Sequence, residues 1–237
     1  MAENKKKIGI EQFIPFELIN ITILEYLNTK EINKDELFQR MMGYNKGENR
    51  AKKAANSIYS TIKKSSAINR ALLKNQTTDS YNRLSNEEKN VITMSLVCIR
   101  FPFIFDTLTA FGKLFNVQDT VNRQYITQTL ASVYGSNRTL DIALDAVLRM
   151  IVDSGFITRV KPGLFAKGER RQICDFSKET LIATFFELNG KKALPVADLK
   201  YEPALSYLID TEIDWKNTKI LEIMEDYTNQ LIIHKLK

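Results

Sequence analysis

The sequence predicts a mainly α fold, a helical bundle carrying one β-hairpin, on three observations. The 237 residues hold only nine glycines and five prolines among abundant Leu, Ile, Lys, Glu and Asn, which favours helices over a sandwich or barrel. Apolar residues recur at helical spacing through most of the chain. One short stretch breaks that rule: residues 156–160 (FITRV) are β-branched and aromatic, run into the turn Lys161-Pro162-Gly163, and return as residues 164–166 (LFA). Proline and glycine at those positions favour a wider loop over a tight two-residue hairpin.

Taken in order, Pro15 opens a helix whose inward stripe is Phe16, Ile19, Ile23, Tyr26 and Leu27. A short helix over 34–42 follows, with Leu37, Phe38 and Met41 inward, and Gly43 to Gly47 breaks the period. A third helix over 48–65 buries Ala51, Ala55, Ile58 and Ile62 and leaves Arg50, Lys53, Ser57 and Lys64 opposite, so the three helices form a helix-turn-helix-like unit. Residues 75–90 are polar and read as a loop, with Ser85 and Glu88 in capping-box register for the next helix. The apolar run 91–115 contains Arg100, Pro102, Asp106 and Lys113, which suits two core helices broken at Pro102 better than a membrane span of ~20 apolar residues. Asp119 or Thr120 caps the next helix, with Val121, Tyr125, Leu130 and Val133 inward and Arg123 in solvent. Thr139 caps a helix with the stripe Leu140, Leu144, Val147, Leu148 and Ile151, stopped by Gly155. Ser177 caps a helix ending at Gly190, residues 191–213 are irregular, and 215–236 read as a final helix with Ile220, Ile223, Met224, Tyr227, Leu231 and Ile232 inward. The segments group as a basic unit over 8–84, central helices with the hairpin over 85–176, and a C-terminal helical support over 177–237.

Charge narrows the function. The net charge of +6 is unevenly spread: residues 45–75 hold eight basic side chains against Glu48 alone, whereas residues 176–237 have a net charge of −2. A polyanion would therefore meet the first two thirds of the chain.

An amphipathic helix ending in VDSGFI and running into a hairpin with Arg159, Lys161, Lys167, Arg170 and Arg171 resembles the recognition helix and wing of winged helix-turn-helix domains. The resemblance covers about a quarter of the chain and implies that Ser136, Asn137 and Arg138 approach a major groove while the wing contacts phosphates. The order of a basic helical N-terminal part and a helix ending in a Gly-led hairpin is also similar to helical accessory proteins of BREX-type phage-defence islands. On this reading Arg50, Lys53, Ser57 and Lys64 add phosphate contacts. Asp141 and Asp145 sit awkwardly there. Asp141 suits a helix start, while Asp145 would read a cytosine amino group or face a protein.

Catalytic constellations are sparse. The single histidine, His234, falls in the expected last helical turn, which excludes histidine triads and the usual zinc sites within one chain. Neither GxxxxGK nor GxGxxG occurs. Asp198, Asp214 and Lys216 fit a nuclease-like acid and lysine pattern only without the strand core that pattern requires. Cys98 and Cys174 lack metal-ligand spacing and suit a reducing cytoplasm. The N-terminus lacks the apolar core of a signal peptide. The expectation is a non-catalytic cytoplasmic protein without metal or cofactor that binds double-stranded DNA, as a regulator or antiviral-defence accessory factor. The alternative is an adaptor or scaffold subunit docking acidic protein partners, with its C-terminal helices free for homo-oligomer contacts.

Overall fold

The structure, a computed structural model, describes residues 5–63, 66–169 and 172–234. The fold is mainly α with two small antiparallel sheets. Its centre is a pair of helices, α6 (Asn86–Arg100) and α10 (Asp175–Asn189), each enclosed on every side. Val91 to Ile99 are all buried, as are Phe176 to Phe186. α6 is apolar around most of its circumference and must be enclosed by others, whereas α10 is enclosed with Ser177, Lys178, Glu179, Thr180 and Thr184 among its buried residues. Accordingly α6 also packs against α1 (Phe16–Thr29), α3 (Glu48–Lys63), α4 (Ala67–Asn75) and α7 (Pro102–Phe115). A single buried core runs from Ile8 to Ile233.

Capping chemistry sets where the central pair begins. Ser85 Oγ accepts from the Glu88 N–H, and Glu88 Oε2 accepts from the Ser85 N–H at 2.7 Å, the expected capping box. The other Glu88 oxygen accepts from the N–H of Cys174 at 2.8 Å. Cys174 is the N-cap of α10 and has no side-chain cap of its own, so one carboxylate serves both helix starts. Burial opposes the Glu88 charge, but the Ser85 and Cys174 hydrogen bonds outweigh it and hold the carboxyl below its ordinary range. The expected Ser177 cap is thus displaced to Cys174, which leaves Ser177 inside the helix and fully buried.

At the other end of α6, Pro102 starts α7 after a 116° bend. No single helix among the described residues is long and apolar enough to cross a membrane. Gly112 in α7 lies against the backbone of Pro203, where an added Cβ would fall 1.6 Å from the carbonyl oxygen. Cys98 is fully buried, and burial pushes its thiol well above the ordinary range.

After α7 come β1 (Thr120–Asn122), α8 (Arg123–Tyr134), α9 (Arg138–Asp153), β2 (Ile157–Lys161) and β3 (Leu164–Lys167). The strands form a sheet in the order β1-β3-β2, with Val121 opposite Phe165. Phe165 meets the ring of Phe111 edge-on at 5.8 Å, which fixes the sheet to α7. Residues expected to begin α8 are therefore strand, and the cap is Asn122, not Asp119 or Thr120. Tyr125 and Val133 point outward because that strand shifts the helical phase. The hairpin turns in two residues, Pro162 and Gly163, rather than in the wider loop expected. A bulge between Arg159 and Lys161 absorbs the mismatch between a Pro-Gly turn and the twist of the strands.

The C-terminal part departs most from expectation. Residues 215–236 do not form a helix: β5 (Glu222–Glu225) and β6 (Leu231–His234) pair as a hairpin, with β4 (Ala193–Pro195) on the far side of β6. The intervening turn explains this. Asp226 Oδ1 accepts from the N–H groups of Thr228 and Gln230 and from the Thr228 hydroxyl, while Asn229 adopts φ 60°. His234 accordingly lies on a strand, and the helix that follows α10 among the described residues is a single 3-10 segment over Val196–Tyr201. Within the expected 75–90 loop lies a short helix, α5 (Thr78–Asn82); α2 (Lys34–Met42) forms as expected.

Two stability measurements follow. Leu148 is 2 % exposed, so Leu148→Ala should cost ~2–5 kcal/mol in urea unfolding, whereas a cost well under ~1 kcal/mol would place the side chain outside the core. Glu88→Ala should cost ~1–3 kcal/mol at neutral pH. Because the Glu88 carboxyl is depressed in the folded state, its contribution is present above the ordinary carboxylate range and is lost as pH falls through the depressed one. The gap between parent and variant should close on that acid limb.

Candidate nucleic-acid interface

Packing determines which basic side chains of α3 are available. Ala51, Ala54, Ala55, Ile58 and Ile62 are buried, which turns Arg50, Lys52 and Lys53 outward. Ser57 is half-buried, and its hydroxyl donates to the Lys53 carbonyl at 3.0 Å, so it serves the helix first. Lys63 is turned toward α1: its ammonium lies 4.2 Å from the Tyr26 ring centroid and donates to the Lys30 carbonyl. Lys64 lies outside the described residues.

On α9 the N-cap is Asn137, not Thr139; its Oδ1 accepts from the Leu140 N–H at 3.0 Å. Its carboxamide oxygen is therefore engaged at the helix start, while Ser136 and Arg138 are exposed. The outward stripe of α9 continues through Asp141, Ile142, Asp145, Arg149 and Asp153. Both awkward acids have one explanation, Arg123, which is not solvated as expected. Its side chain is 29 % exposed, with Nη2 3.3 Å from Asp141 Oδ1 and 3.0 Å from Asp145 Oδ1. The backbone N–H of Arg123 donates to the carbonyl of Gly163 at the hairpin turn, at 2.8 Å. One residue thus ties the start of α8 to α9 and to the hairpin.

In the hairpin, Arg159, Lys161 and Lys167 are exposed. The Arg159 guanidinium lies 5.8 Å from the Phe165 centroid, and the Lys167 ammonium 5.8 Å from that of Phe115. Arg170 and Arg171 lie outside the described residues.

The structure brings distant parts of the sequence onto one surface. A groove of about 430 Å³ is bordered by Arg50 and Lys53 of α3, by Gln12 and Phe13 of the N-terminal segment, and by Ile142 of α9. The Arg149 guanidinium sits 3.9 Å over the Phe13 ring, carrying this surface along α9. A second groove, about 520 Å³, then separates Arg149 from Arg159, with Leu148, Val152 and Phe165 on its floor and Asp145 and Asp153 at its rim. Arg149 could have been inferred from its place on the stripe with Arg138 and Asp145. Gln12 and Phe13 carry no comparable signal, because an extended segment has no period.

Among the described residues no group of three or more His, Cys, Asp or Glu is arranged to hold a metal ion. Asp214 is occupied locally: its carboxylate accepts from the Asn217 amide and the Lys216 N–H, which hold it below the ordinary range.

The Arg123 lock can be measured. Its carboxylate partners are largely exposed, so Arg123→Ala should cost about 1 kcal/mol or less. A double-mutant cycle with Asp145→Asn should show a coupling of at least about 0.5 kcal/mol, and additive effects would show that the ion pair holds nothing. Comparison of the chain with protein-family models, with curated proteins and with solved structures finds no match.

Proposed function

We propose that the protein is a non-catalytic cytoplasmic DNA-binding protein that contacts the phosphate backbone through α3 and the β2–β3 hairpin, with α9 between them. The order helix, strand, helix, helix, strand, strand from α7 to β3, with the sheet order β1-β3-β2, supports a winged-helix reading. In it α9 takes the place of the recognition helix and β2–β3 that of the wing. One observation carries the proposal. Arg50 and Lys53 of α3 and, from a remote part of the sequence, Arg149 and Arg159 line one stripe of two grooves joined where Arg149 covers Phe13. Such a stripe is the electrostatic footprint of polyanion binding. A role as regulator or phage-defence accessory factor extends the same reading.

A second reading, a protein-binding adaptor, rests on the α9–hairpin groove. Its floor is apolar and its rim mixes Arg149 and Arg159 with Asp145 and Asp153, a composition that suits a peptide better than a phosphate chain.

Salt dependence separates the two. On duplex DNA, the logarithm of affinity should fall linearly with the logarithm of salt concentration, each phosphate contact contributing a slope of about −0.9. Arg50→Ala with Lys53→Ala should flatten the slope by up to about 1.8, and Arg159→Ala with Lys161→Ala by a similar, additive amount. The adaptor reading predicts no duplex binding at ~0.15 M salt by the parent. An unchanged slope in the first variant would remove α3 from the interface.

A further inference from the structure

We propose that the groove between α3 and α9 seats one unstacked nucleotide of a single-stranded nucleic acid. This rests on the nucleic-acid reading above and narrows it. The volume of about 430 Å³ falls within the ~300–1,000 Å³ of small-ligand sites. The lining is what selects the ligand. Gln12, Asn45 and Asn49 bring three carboxamides, each with a donor and an acceptor, the pairing that reads base edges. Arg50 and Lys53 stand on one wall as phosphate partners, and Phe13 with the exposed Ile142 provides the apolar surface a base requires. The Asn45 amide nitrogen is buried without a hydrogen-bond partner, an unusual state for a donor at a groove wall. Glu11, also on the lining, repels phosphate and accepts from a sugar hydroxyl or a base amino group, which directs the phosphate toward α3.

Concavity decides between duplex and single strand. In a duplex the phosphates lie outside and the base edges lie at the floor of a groove, where only a protruding element reaches them. The half-buried carboxamides of Gln12 and Asn45, set in the groove, reach a base edge only when the base has left the stack. Single-stranded stretches and strand ends supply such bases.

The test is fluorescence anisotropy on the full chain, using single-stranded homopolymers of each DNA base and a blunt hairpin duplex. The parent should favour one single-stranded base over the others. Gln12→Ala with Asn49→Ala should lower affinity for that strand about tenfold without changing the salt slope. Arg50→Ala with Lys53→Ala should flatten the single-strand slope by up to about 1.4. If the duplex binds at least as tightly as any single strand, and Gln12→Ala with Asn49→Ala changes neither, the groove is not a nucleotide seat and the duplex reading stands alone. If neither nucleic acid binds the parent, both proposals fall. Should the carboxamide variant fail to fold, titration of the parent with deoxynucleoside monophosphates decides: the side-chain amide resonances of Asn45 and Asn49 should shift, and their constancy would overturn the proposal.

Discussion

The enclosure of α6 and α10 is the constraint on which the remaining structure depends. Both helices are covered by other elements, α10 with Lys178 and Glu179 among its buried side chains, and the covering layer forms the outer surface. Because α3 covers α6 with an alanine- and isoleucine-lined stripe, its basic side faces outward by exclusion. Because α7 leaves α6 at a fixed bend, and Phe111 of α7 meets Phe165 of β3, the hairpin is referenced to the same core. The two basic patches are thereby held in one frame although residues 54–158 lie between them.

Two buried charged residues extend that frame to the C-terminal region. Lys178 and Glu179 of α10 are both buried, yet each serves a different stretch of irregular backbone. Lys178 Nζ donates to the Glu212 carbonyl at 2.7 Å, and Glu179 Oε2 accepts from the N–H groups of Lys219 and Ile220 at 2.8 and 2.7 Å. Backbone outside regular structure must find hydrogen-bond partners when covered, and α10 supplies them from its side chains. Burial raises the Glu179 carboxyl despite those donors, so its ionised form is tolerated in the fold, not favoured by it. These contacts fasten residues 212–220 without a helix of their own.

The helices were legible in the sequence where period and capping agreed. The stripe of α3, the capping box at Ser85 and Glu88, the break at Pro102 and the stop at Gly190 are local signals, and each is where periodicity and cap chemistry place it. The C-terminal hairpin was illegible by period alone, because Ile220, Ile223, Met224, Tyr227, Leu231 and Ile232 satisfy helical spacing as well. The Asp226 turn overrides that spacing through three hydrogen bonds to one oxygen. Strand β1 has only three residues, and its pairing with β3 is a tertiary fact without a local mark. The candidate site divides in the same way. Arg50, Lys53, Arg159 and Lys161 were readable from local charge, whereas Gln12, Phe13 and the role of Arg123 depend on contacts between remote segments.

Arg123 shows why the charge of α9 cannot be read from α9 alone. Taken by itself, the outward stripe carries Arg138 and Arg149 against Asp141, Asp145 and Asp153, a poor face for a polyanion. With Arg123 bridging two of those acids and Arg149 approaching Asp153 at 3.7 Å, the stripe is close to neutral. A neutral helix thus stands between two basic flanks. On the proposed nucleic-acid reading, attraction at a distance falls to the exposed cations of α3 and the hairpin, and contact chemistry to Gln12, Phe13, Asn45 and Asn49 in the groove that Ile142 of α9 borders. Since the Arg123 backbone also donates to Gly163, the residue whose guanidinium neutralises α9 is also the one that holds the hairpin turn.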